Sequence, residues 1–425
     1  MKRALVLSGG GAKGAYQIGV YKALKRLNIK IDIITGTSIG SINGASLVAG
    51  EYKKIKKFWL KTETSEIFNY DFNKIENLPK IAKEMIINKG LKFDKAEDTL
   101  EKVINERKIR KSKIDYGLVT VNLKTRVPKM LTKDEIPEGK LLSYVIASST
   151  CFPAVETKEI DGEHYIDGGY YDNLPINLAI EMGADEVIAI DLASIGIKSK
   201  KIDKDIKIDY IKTSNKRLFS INFDPQNSKE SMLMGYNDTM KYFGKLGGKT
   251  YTFKKNHLDK NYETISETYE KLLKKFLISD KESISLTGII KNRRYKKILL
   301  NIKNGKSLKD EVNDSIEYLG SLFGIEKSKT YSIKKFNKIL IKNVKELNYI
   351  SIDKNLKGKM LLGYIFNKYI KDPENEDMHK KLLNVALVFP KDFLAAIYLI
   401  VISNQYPLNL KSDKFYNDIL DTIKK

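Results

Sequence analysis

The chain has 425 residues, with 76 Lys and Arg against 53 Asp and Glu, three His and one Cys. This length predicts two or three domains, and a hydrophobic share of 42% is typical of a folded chain. A single cysteine excludes an internal disulfide framework and a multi-cysteine metal site, and three scattered histidines leave little for a histidine-rich metal centre. We therefore expect neither a metal ion nor a cofactor.

The apolar runs of the chain are too short for targeting or for crossing a membrane. After the basic start, Gly9-Gly10-Gly11 ends the run at residues 4–7, whereas a signal peptide needs about 7–15 apolar residues. The late segments 382–389 and 393–402 are split by Pro390, and neither approaches the ~20 residues that span a bilayer. We expect a cytoplasmic protein, with peripheral membrane contact at most.

The elements predicted over residues 1–195 alternate between strands and helices. Strands are expected at residues 4–8, 31–35, 116–123, 163–166 and 186–191. Helices are expected at residues 15–26, 39–48 and 141–147, with residues 52–112 mainly helical. This alternation predicts an α/β fold with an open, mostly parallel sheet flanked by helices. Such sheets bind ligands at the carboxyl ends of their strands, where two glycine clusters of this sequence fall.

The second half of the chain differs in charge and in pattern. Residues 1–195 hold 30 basic and 26 acidic residues (+4), whereas residues 196–425 hold 46 and 27 (+19). After a surface excursion at 197–209, further elements are predicted: a helix at 226–243, a strand at 250–253, and helices at 262–277, 310–322, 356–369, 378–388 and 392–403. We predict a first domain over 1–255, with its motifs within 1–195, and a basic, mainly helical domain over 256–425.

The first chemical motif is Gly36-Thr37-Ser38-Ile39-Gly40, a G-x-S-x-G sequence between an apolar strand and a helix. A serine at a tight strand-to-helix turn projects its hydroxyl, and small neighbours let the backbone close around it. The amino end of the following helix favours negative charge there. Ser38 is a candidate nucleophile, and a serine that merely caps the helix is the alternative.

A second glycine turn, Gly9-Gly10-Gly11-Ala12-Lys13-Gly14, also joins a strand to a helix. Its G-x-G-x-x-G spacing allows a dinucleotide site, but the acidic residue such a site needs is missing from the end of the second strand. A phosphate-binding loop needs Gly-Lys-Ser/Thr, and Ala15 follows Gly14 here. The N–H groups of the turn could instead hold an oxyanion, with Lys13 adding positive charge. Tight packing of helix on strand is the simplest alternative.

A third motif, Tyr165-Ile166-Asp167-Gly168-Gly169-Tyr170, places an aspartate and two glycines after a short strand. Turns of this composition are common, so the motif alone carries little information. To act as a general base, Asp167 would have to reach the Ser38 hydroxyl, and burial would have to raise its pKa.

Taken together, the three motifs resemble those of the patatin-like phospholipase family. The resemblance covers about residues 1–195 and extends more weakly to 255. It implies that residues 9–14 form the oxyanion loop, that Ser38 is the nucleophile and that Asp167 is the base.

Two further segments are similar to the family pattern. Residues 148–153, Ser-Ser-Thr-Cys-Phe-Pro, match a block of small residues, a serine and a proline, with Cys151 in place of the usual alanine. Asn173-Leu174-Pro175 continues the pattern after the D-G-G motif. Cys151 itself is expected to be a small core residue rather than a nucleophile.

The resemblance implies a serine lipid acyl hydrolase that cleaves fatty-acyl esters with a Ser–Asp dyad, without a metal or cofactor. Its substrate would be a phospholipid or another acyl ester. A conventional triad would instead need one of the three histidines, His164, His257 or His379, and only His164 lies near a motif.

The charge of +19 over residues 196–425 leaves the role of the second domain open. Lys and Arg near an anionic membrane contribute about 1 kcal/mol each, so this domain could dock the enzyme there, with the apolar segments around Pro390 in the headgroup region. Nucleic-acid binding through the same part is the alternative, although no nucleic-acid motif is present. A regulatory or partner-binding role is a third possibility.

Overall fold

The computed structural model describes residues 1–68, 90–92, 94–199, 205–214, 222–277, 307–347, 358–371 and 389–405, with the single positions 79, 83 and 87. It divides the chain into two units, Met1–Phe243 and Gly244–Lys425. The division falls before the predicted boundary at 255 because the strands after Phe243 pair within the second unit.

An eight-stranded sheet forms the centre of the first unit. Its strands are β1 Arg3–Leu7, β2 Ile33–Thr37, β3 Asp115–Asn122, β4 Pro128–Thr132, β5 Lys158–Ile160, β6 Glu163–Asp167, β7 Glu186–Asp191 and β8 Lys207–Lys212. The order is β5-β6-β3-β2-β1-β7-β8, and β4 pairs with β3. The strands β3-β2-β1-β7-β8 are all parallel, whereas β4, β5 and β6 pair antiparallel. The mostly parallel α/β sheet is therefore confirmed, with a mixed edge.

Helices flank this sheet, which explains why its central strands are almost wholly apolar. They are α1 Ala15–Arg26, α2 Ile39–Val48, α3 Tyr52–Lys61, α4 Thr64–Ile67, α5 Asp94–Glu101, α6 Glu106–Lys111, α7 Leu141–Ala147, α8 Ile176–Glu181 and α9 Pro225–Tyr242. α1 and α9 pack with almost no gap: a Cβ added at Gly19 would lie 1.9 Å from the Met232 carbonyl oxygen. One added at Gly235 would lie 2.1 Å from the Tyr16 carbonyl oxygen.

The second unit is mainly helical, as predicted. Its elements are β9 Leu246–Gly247, β10 Thr252–Lys254, α10 His257–Leu277, α11 Leu308–Leu322, β11 Thr330–Tyr331, α12 Ile333–Lys345, α13 Lys359–Lys371 and α14 Pro390–Gln405. Residues 393–402 of α14 are buried in the core of this unit. This corrects the expectation that the apolar segment after Pro390 lies among lipid headgroups, since it already packs against other helices.

Several elements differ from the sequence predictions. β4, β5 and β8 were not predicted. The start of β8 overlaps the expected surface excursion, and only one of its six residues, Ile211, is buried, so its sequence lacks a continuous apolar run. α12 was also missed, although Phe336, Leu340 and Val344 recur at helical spacing. The predicted helix at 378–388 lies outside the described residues. Within the described part of the chain, no helix is both long and apolar enough to cross a membrane.

Candidate active site

The register of three strands brings Ser38 and Asp167 to the same level of the sheet. Thr37 of β2 pairs with Val119 of β3, and the next residue, Thr120, pairs with Asp167 at the end of β6. Ser38 directly follows Thr37, so the two side chains flank the carboxyl end of β3. Both line one cavity of about 610 Å³.

Ser38 occupies a strained turn between β2 and α2. Its φ is 56° and its ψ is −130°, in a region that residues with side chains seldom adopt. The two motif glycines leave no room for a side chain: a Cβ at Gly36 would lie 2.3 Å from the Gly40 carbonyl oxygen, and one at Gly40 would lie 2.2 Å from that of Leu7. The turn therefore requires both glycines, and the amino end of α2 lies at the serine.

The glycine loop after β1 packs directly against this turn. A Cβ at Gly9 would lie 2.9 Å from the Ser38 Cβ, so only glycine fits there. The Gly9 N–H donates to the Asn173 carbonyl oxygen at 3.1 Å, and the Lys13 N–H donates to that of Gly10 at 3.3 Å. Gly10 and Gly11 line the cavity, and within the described part of the chain their N–H groups have no backbone acceptor. Among the described residues that line the cavity, these two N–H groups are candidates to bind an oxygen anion.

The Lys13 side chain does not line the cavity, although adding positive charge beside an oxyanion there would require it. Its side chain is buried, and its Nζ donates to the carbonyl oxygens of Leu192 at 3.2 Å and Ala193 at 3.3 Å. Burial lowers the pKa of the Lys13 ammonium, and the charge of Asp191 opposes this. The ammonium thus ties the glycine loop to the segment after β7. Lys13, Gly9, Ala12 and Gly14 are not among the residues that line the cavity.

The D-G-G motif turns sharply at the end of β6. The Asp167 Oδ1 accepts a hydrogen bond from the Gly169 N–H at 2.7 Å, which orients the carboxylate. A Cβ at Gly168 would lie 2.1 Å from the Val119 carbonyl oxygen and 3.0 Å from the Thr37 Cγ2. The absence of a side chain at Gly168 therefore lets the motif approach the end of β2.

The surroundings of Asp167 raise the pKa of its carboxyl group. Burial raises its pKa from 3.8 to about 6, while hydrogen bonds from the Ser38 side chain and the Gly169 N–H act in the opposite direction. The residue is only 6% exposed. A carboxylate that is ionised at neutral pH, poorly hydrated and hydrogen-bonded to a serine can accept that serine's proton.

The block at residues 148–153 supports both chemical residues. The Ser38 N–H donates to the Ser148 Oγ at 3.0 Å. On the other side, the Asp167 N–H donates to the Thr150 carbonyl oxygen at 2.9 Å, and the Gly168 N–H to that of Ser148 at 3.3 Å. This segment therefore holds the two turns at a fixed separation.

The structure adds residues that the motifs did not assign. Asn173 accepts the Gly9 N–H, packs against Gly9 and Gly169, and donates through its Nδ2 to the Ser194 Oγ at 3.1 Å. The Ser194 hydroxyl in turn donates to the Gly9 carbonyl oxygen. The Asn173-Leu174-Pro175 pattern was a signal for the asparagine, but no local pattern pointed to Ser194.

The described histidines do not meet Ser38. The exposed His164 pairs its Nδ1 with the Thr157 Oγ1 at 2.9 Å, and the His257 Nδ1 accepts from the Ile333 N–H in the second unit. His379 lies outside the described residues. Within those residues, no group of three or more His, Cys, Asp or Glu is placed to bind a metal ion.

Cys151 is not the core residue that was expected. It is partly exposed and lines the cavity, with its Sγ 4.0 Å from the Tyr170 Oη. Burial and the charge of Asp167 raise the pKa of its thiol, so little of the reactive thiolate forms.

The rest of the cavity wall is mostly apolar. Its buried or half-buried side chains are those of Ile39, Ile42, Phe68, Val155 and Phe223. Phe223 stacks on the buried Trp59 at 5.6 Å between ring centroids, which fixes that part of the wall. An apolar chamber beside a serine–carboxylate pair suits a substrate with a hydrocarbon chain next to a polar reacting group.

Comparison with known families agrees with this geometry. Residues 5–180 match the family model described as patatin-like phospholipase, and the match includes the glycine loop, Ser38 and Asp167. The chain carries a patatin-like phospholipase domain. The domain comprises the sheet from β1 to β6 together with α8, and so contains every strand that positions the site.

Curated relatives match less than half of this chain. Patatin-like phospholipase domain-containing protein 6 of Mus musculus is 35% identical over 199 residues, which are 45% of this chain and 13% of that protein. Lysophospholipase nte1 of Aspergillus terreus is 32% identical over 196 residues, which are 45% of this chain and 12% of that protein. This chain therefore spans about an eighth of the length of these relatives.

Solved structures give a weaker similarity. VipD from Legionella pneumophila aligns over 97% of this chain and 93% of its own, with a TM-score of 0.36 and 14% identity. A similarity at that level supports no argument about function.

Proposed function

We propose that this chain hydrolyses fatty-acyl esters of lipids, with Ser38 as nucleophile and Asp167 as general base. The observation that carries the proposal is that Ser38, in its strained turn, and the buried Asp167 carboxyl group line the same apolar cavity. The patatin-like phospholipase domain at residues 5–180 and the 35% identity to a relative of that name support the same chemistry.

In the first half of the proposed reaction, the Asp167 carboxylate takes the hydroxyl proton as the Ser38 Oγ attacks the ester carbonyl carbon. The carbonyl π electrons move onto oxygen, and the Gly10 and Gly11 N–H groups bind that anion. When the C–O bond of the ester breaks, the leaving alcohol takes the proton from Asp167 and an acyl-serine remains.

In the second half, Asp167 takes a proton from a water molecule, which attacks the acyl-serine carbonyl. Collapse of this intermediate breaks the bond to the Ser38 Oγ, which recovers the proton, and releases the fatty acid. Water and an ester are consumed, and an acid and an alcohol are formed. The carboxyl group of Asp167 thus takes up and returns a proton in each half of the reaction.

The test compares Ser38→Ala and Asp167→Asn with the unchanged chain on a phospholipid, a lysophospholipid and a short-chain ester. Each variant should lose about 10³-fold or more in kcat, the scale seen when a nucleophile or its base is removed. The matched controls are Ser46→Ala, whose hydroxyl bonds only within α2, and Asp161→Asn, which lies in an exposed turn before β6. Full activity in either site variant would refute the assignment.

Labelling with a fluorophosphonate tests the nucleophile independently of the substrate. The adduct should map to Ser38 and should be missing in Ser38→Ala. A label on Cys151 or on another serine would contradict the proposal.

The alternative functions receive less support. Asp32, the acidic residue nearest to a dinucleotide position, lies before β2 and binds the Arg3 N–H at 3.1 Å, away from the carboxyl end of the sheet. The basic second unit keeps its proposed role at anionic membranes: α12 exposes five lysines, Lys334, Lys335, Lys338, Lys342 and Lys345, opposite its buried apolar face. Co-sedimentation of the full chain with anionic vesicles at low and high salt tests that role, because docking through these lysines should be lost at high salt.

A further inference from the structure

Three large apolar side chains stand exposed where the cavity opens. Tyr170, Ile195 and Ile197 all line it, and they are 45%, 74% and 58% exposed. We call them the mouth residues. Scattered exposed apolar residues are common on soluble proteins, but a group around one opening marks an interaction surface.

The backbone holds the mouth residues in place. The Ile197 N–H donates to the Gly169 carbonyl oxygen at 2.9 Å, and the Ile197 carbonyl oxygen accepts the Asn173 N–H at 2.6 Å. Gly196 packs so closely that an added Cβ would lie 2.7 Å from the Asn173 Cβ. The exposed side chains are therefore joined to the segment that carries the D-G-G motif.

The mouth residues continue the lining of the chamber. Ile39, Ile42 and Phe223 line the same cavity further in, so apolar side chains are present both at its opening and beside Ser38. Among the described residues that line the cavity, only Asp167 is an acidic or basic residue. Lys198, which follows Ile197 in the chain, is paired with Asp191 at 2.6 Å. The opening therefore offers apolar area more than free charge.

We propose that the mouth residues dock the first unit onto the surface of aggregated lipid, with their side chains in the boundary between headgroups and acyl chains. This rests on the proposed function, because the docked cavity would receive an acyl chain directly from the aggregate without passing through water. Binding of this kind scales with buried apolar area. It should therefore occur on uncharged membranes and change little with salt.

The test uses the full chain with Ser38→Ala, so that no lipid is consumed, and two kinds of vesicle at low and high salt: zwitterionic phosphatidylcholine alone, and phosphatidylcholine mixed with anionic phosphatidylserine. Ile195→Ser with Ile197→Ser should weaken co-sedimentation about tenfold or more, because burial of each such side chain is worth a factor of that order. The matched control is Val127→Ser with Leu233→Ser, exposed apolar residues outside the cavity lining. That pair should bind like the parent, and thermal unfolding checks that both pairs fold.

A fluorescent reporter tests the same contact without replacing the apolar mouth residues by polar ones. The chain has one tryptophan, Trp59, which is fully buried and gives a constant background. The tryptophan fluorescence of Ile195→Trp should shift to shorter wavelength when vesicles are added, and brominated lipid should quench it. Val127→Trp should show neither effect.

The outcomes separate this proposal from the hydrolase proposal. Equal binding of the mouth pair and the control pair, or an Ile195→Trp signal that vesicles leave unchanged, would overturn the docking proposal even if Ser38 is the nucleophile. Binding only to anionic vesicles, lost at high salt, would also overturn it and would favour the basic second unit. Activity retained in Ser38→Ala would refute the hydrolase assignment while leaving the measured docking intact.

Discussion

Buried polar side chains serve different purposes in the two units. In the first unit, the Trp59 Nε1 donates to the Asn43 Oδ1 at 2.9 Å, and the Asn43 Nδ2 donates to the Gln17 Oε1 at 2.8 Å and the Gly14 carbonyl oxygen at 3.0 Å. The Gln17 Nε2 donates to the Ser8 carbonyl oxygen at 2.7 Å. This network ends on the main chain at both sides of the glycine loop.

In the second unit, three buried side chains bond mainly to one another. The Tyr398 Oη donates to the Asn337 Oδ1 at 2.8 Å, the Asn337 Nδ2 donates to the Asn261 Oδ1 at 3.2 Å, and the Asn261 Nδ2 returns to the Tyr398 Oη at 3.2 Å. The ring links α14, α12 and α10. Polar groups join helices in both units, but those of the first unit also bond the main chain on both sides of the glycine loop.

The largest effect is expected when a side chain is added at a closely packed glycine of the first unit. Gly40→Ala would place a Cβ 2.2 Å from the Leu7 carbonyl oxygen, so β1 and the Ser38 turn must separate. We expect at least ~10²-fold lower kcat, since a displacement of about 1 Å costs that much. We also expect ~1–3 kcal/mol less stability, from overpacking. Ester turnover and urea unfolding measure the two effects.

Gly247→Ala in the second unit is the matched control. Its added Cβ would meet no atom closer than 3.9 Å. Activity should be unchanged, and stability should change by less than about 1 kcal/mol. If both variants behave alike, the close approach at Gly40 does not hold the site.

The next effect concerns the buried carboxyl group of Asp167, whose pKa is raised to about 6. The base must be ionised, so kcat/KM on a soluble ester should fall about tenfold for each pH unit below 6 and level off above it. Whereas kcat/KM rises with pH up to about 6, the contribution of Asp167 to stability should fall over that range. Because the folded pKa lies above the unfolded 3.8, the folded chain binds the extra proton between these values. The contribution of Asp167 to the free energy of unfolding therefore decreases as pH rises from about 4 to 6.

A histidine would titrate in nearly the same range, so the pH profile needs a control. Replacement of His164, His257 and His379 by glutamine should leave the midpoint near 6. A midpoint that disappears in the triple variant would assign the titration to a histidine and contradict the role of Asp167. Asp167→Asn should also remove the Asp167 contribution to the pH dependence of stability over this window, while other shifted carboxyl groups such as Asp172 keep theirs.

Local sequence patterns predicted the central parallel strands and singled out Ser38 and Asp167, which the structure places at one cavity, but they did not predict the contacts that support these two residues. Buried parallel strands are continuous apolar runs, whereas the edge strand β8 has only one buried residue and gave no such signal. Ser38 and Asp167 lie in short glycine motifs, because each needs a turn that only glycine allows. Ser148 and Ser194 act on residues 110 and 185 positions away, a relation that the fold alone creates.

The smallest effects compare two buried tyrosines of the second unit. Tyr398→Phe removes an Oη that bonds Asn261 and Asn337, leaving buried polar groups unpaired, so we expect a loss of ~1–3 kcal/mol. The Tyr251 Oη is also buried but has no partner among the described residues, so Tyr251→Phe should be neutral or slightly stabilising. Urea unfolding measures both, and ester turnover at saturating substrate should stay constant. Equal destabilisation by the two variants would mean that the Asn261–Asn337–Tyr398 ring contributes nothing beyond packing, and the contrast between the units would lose its basis.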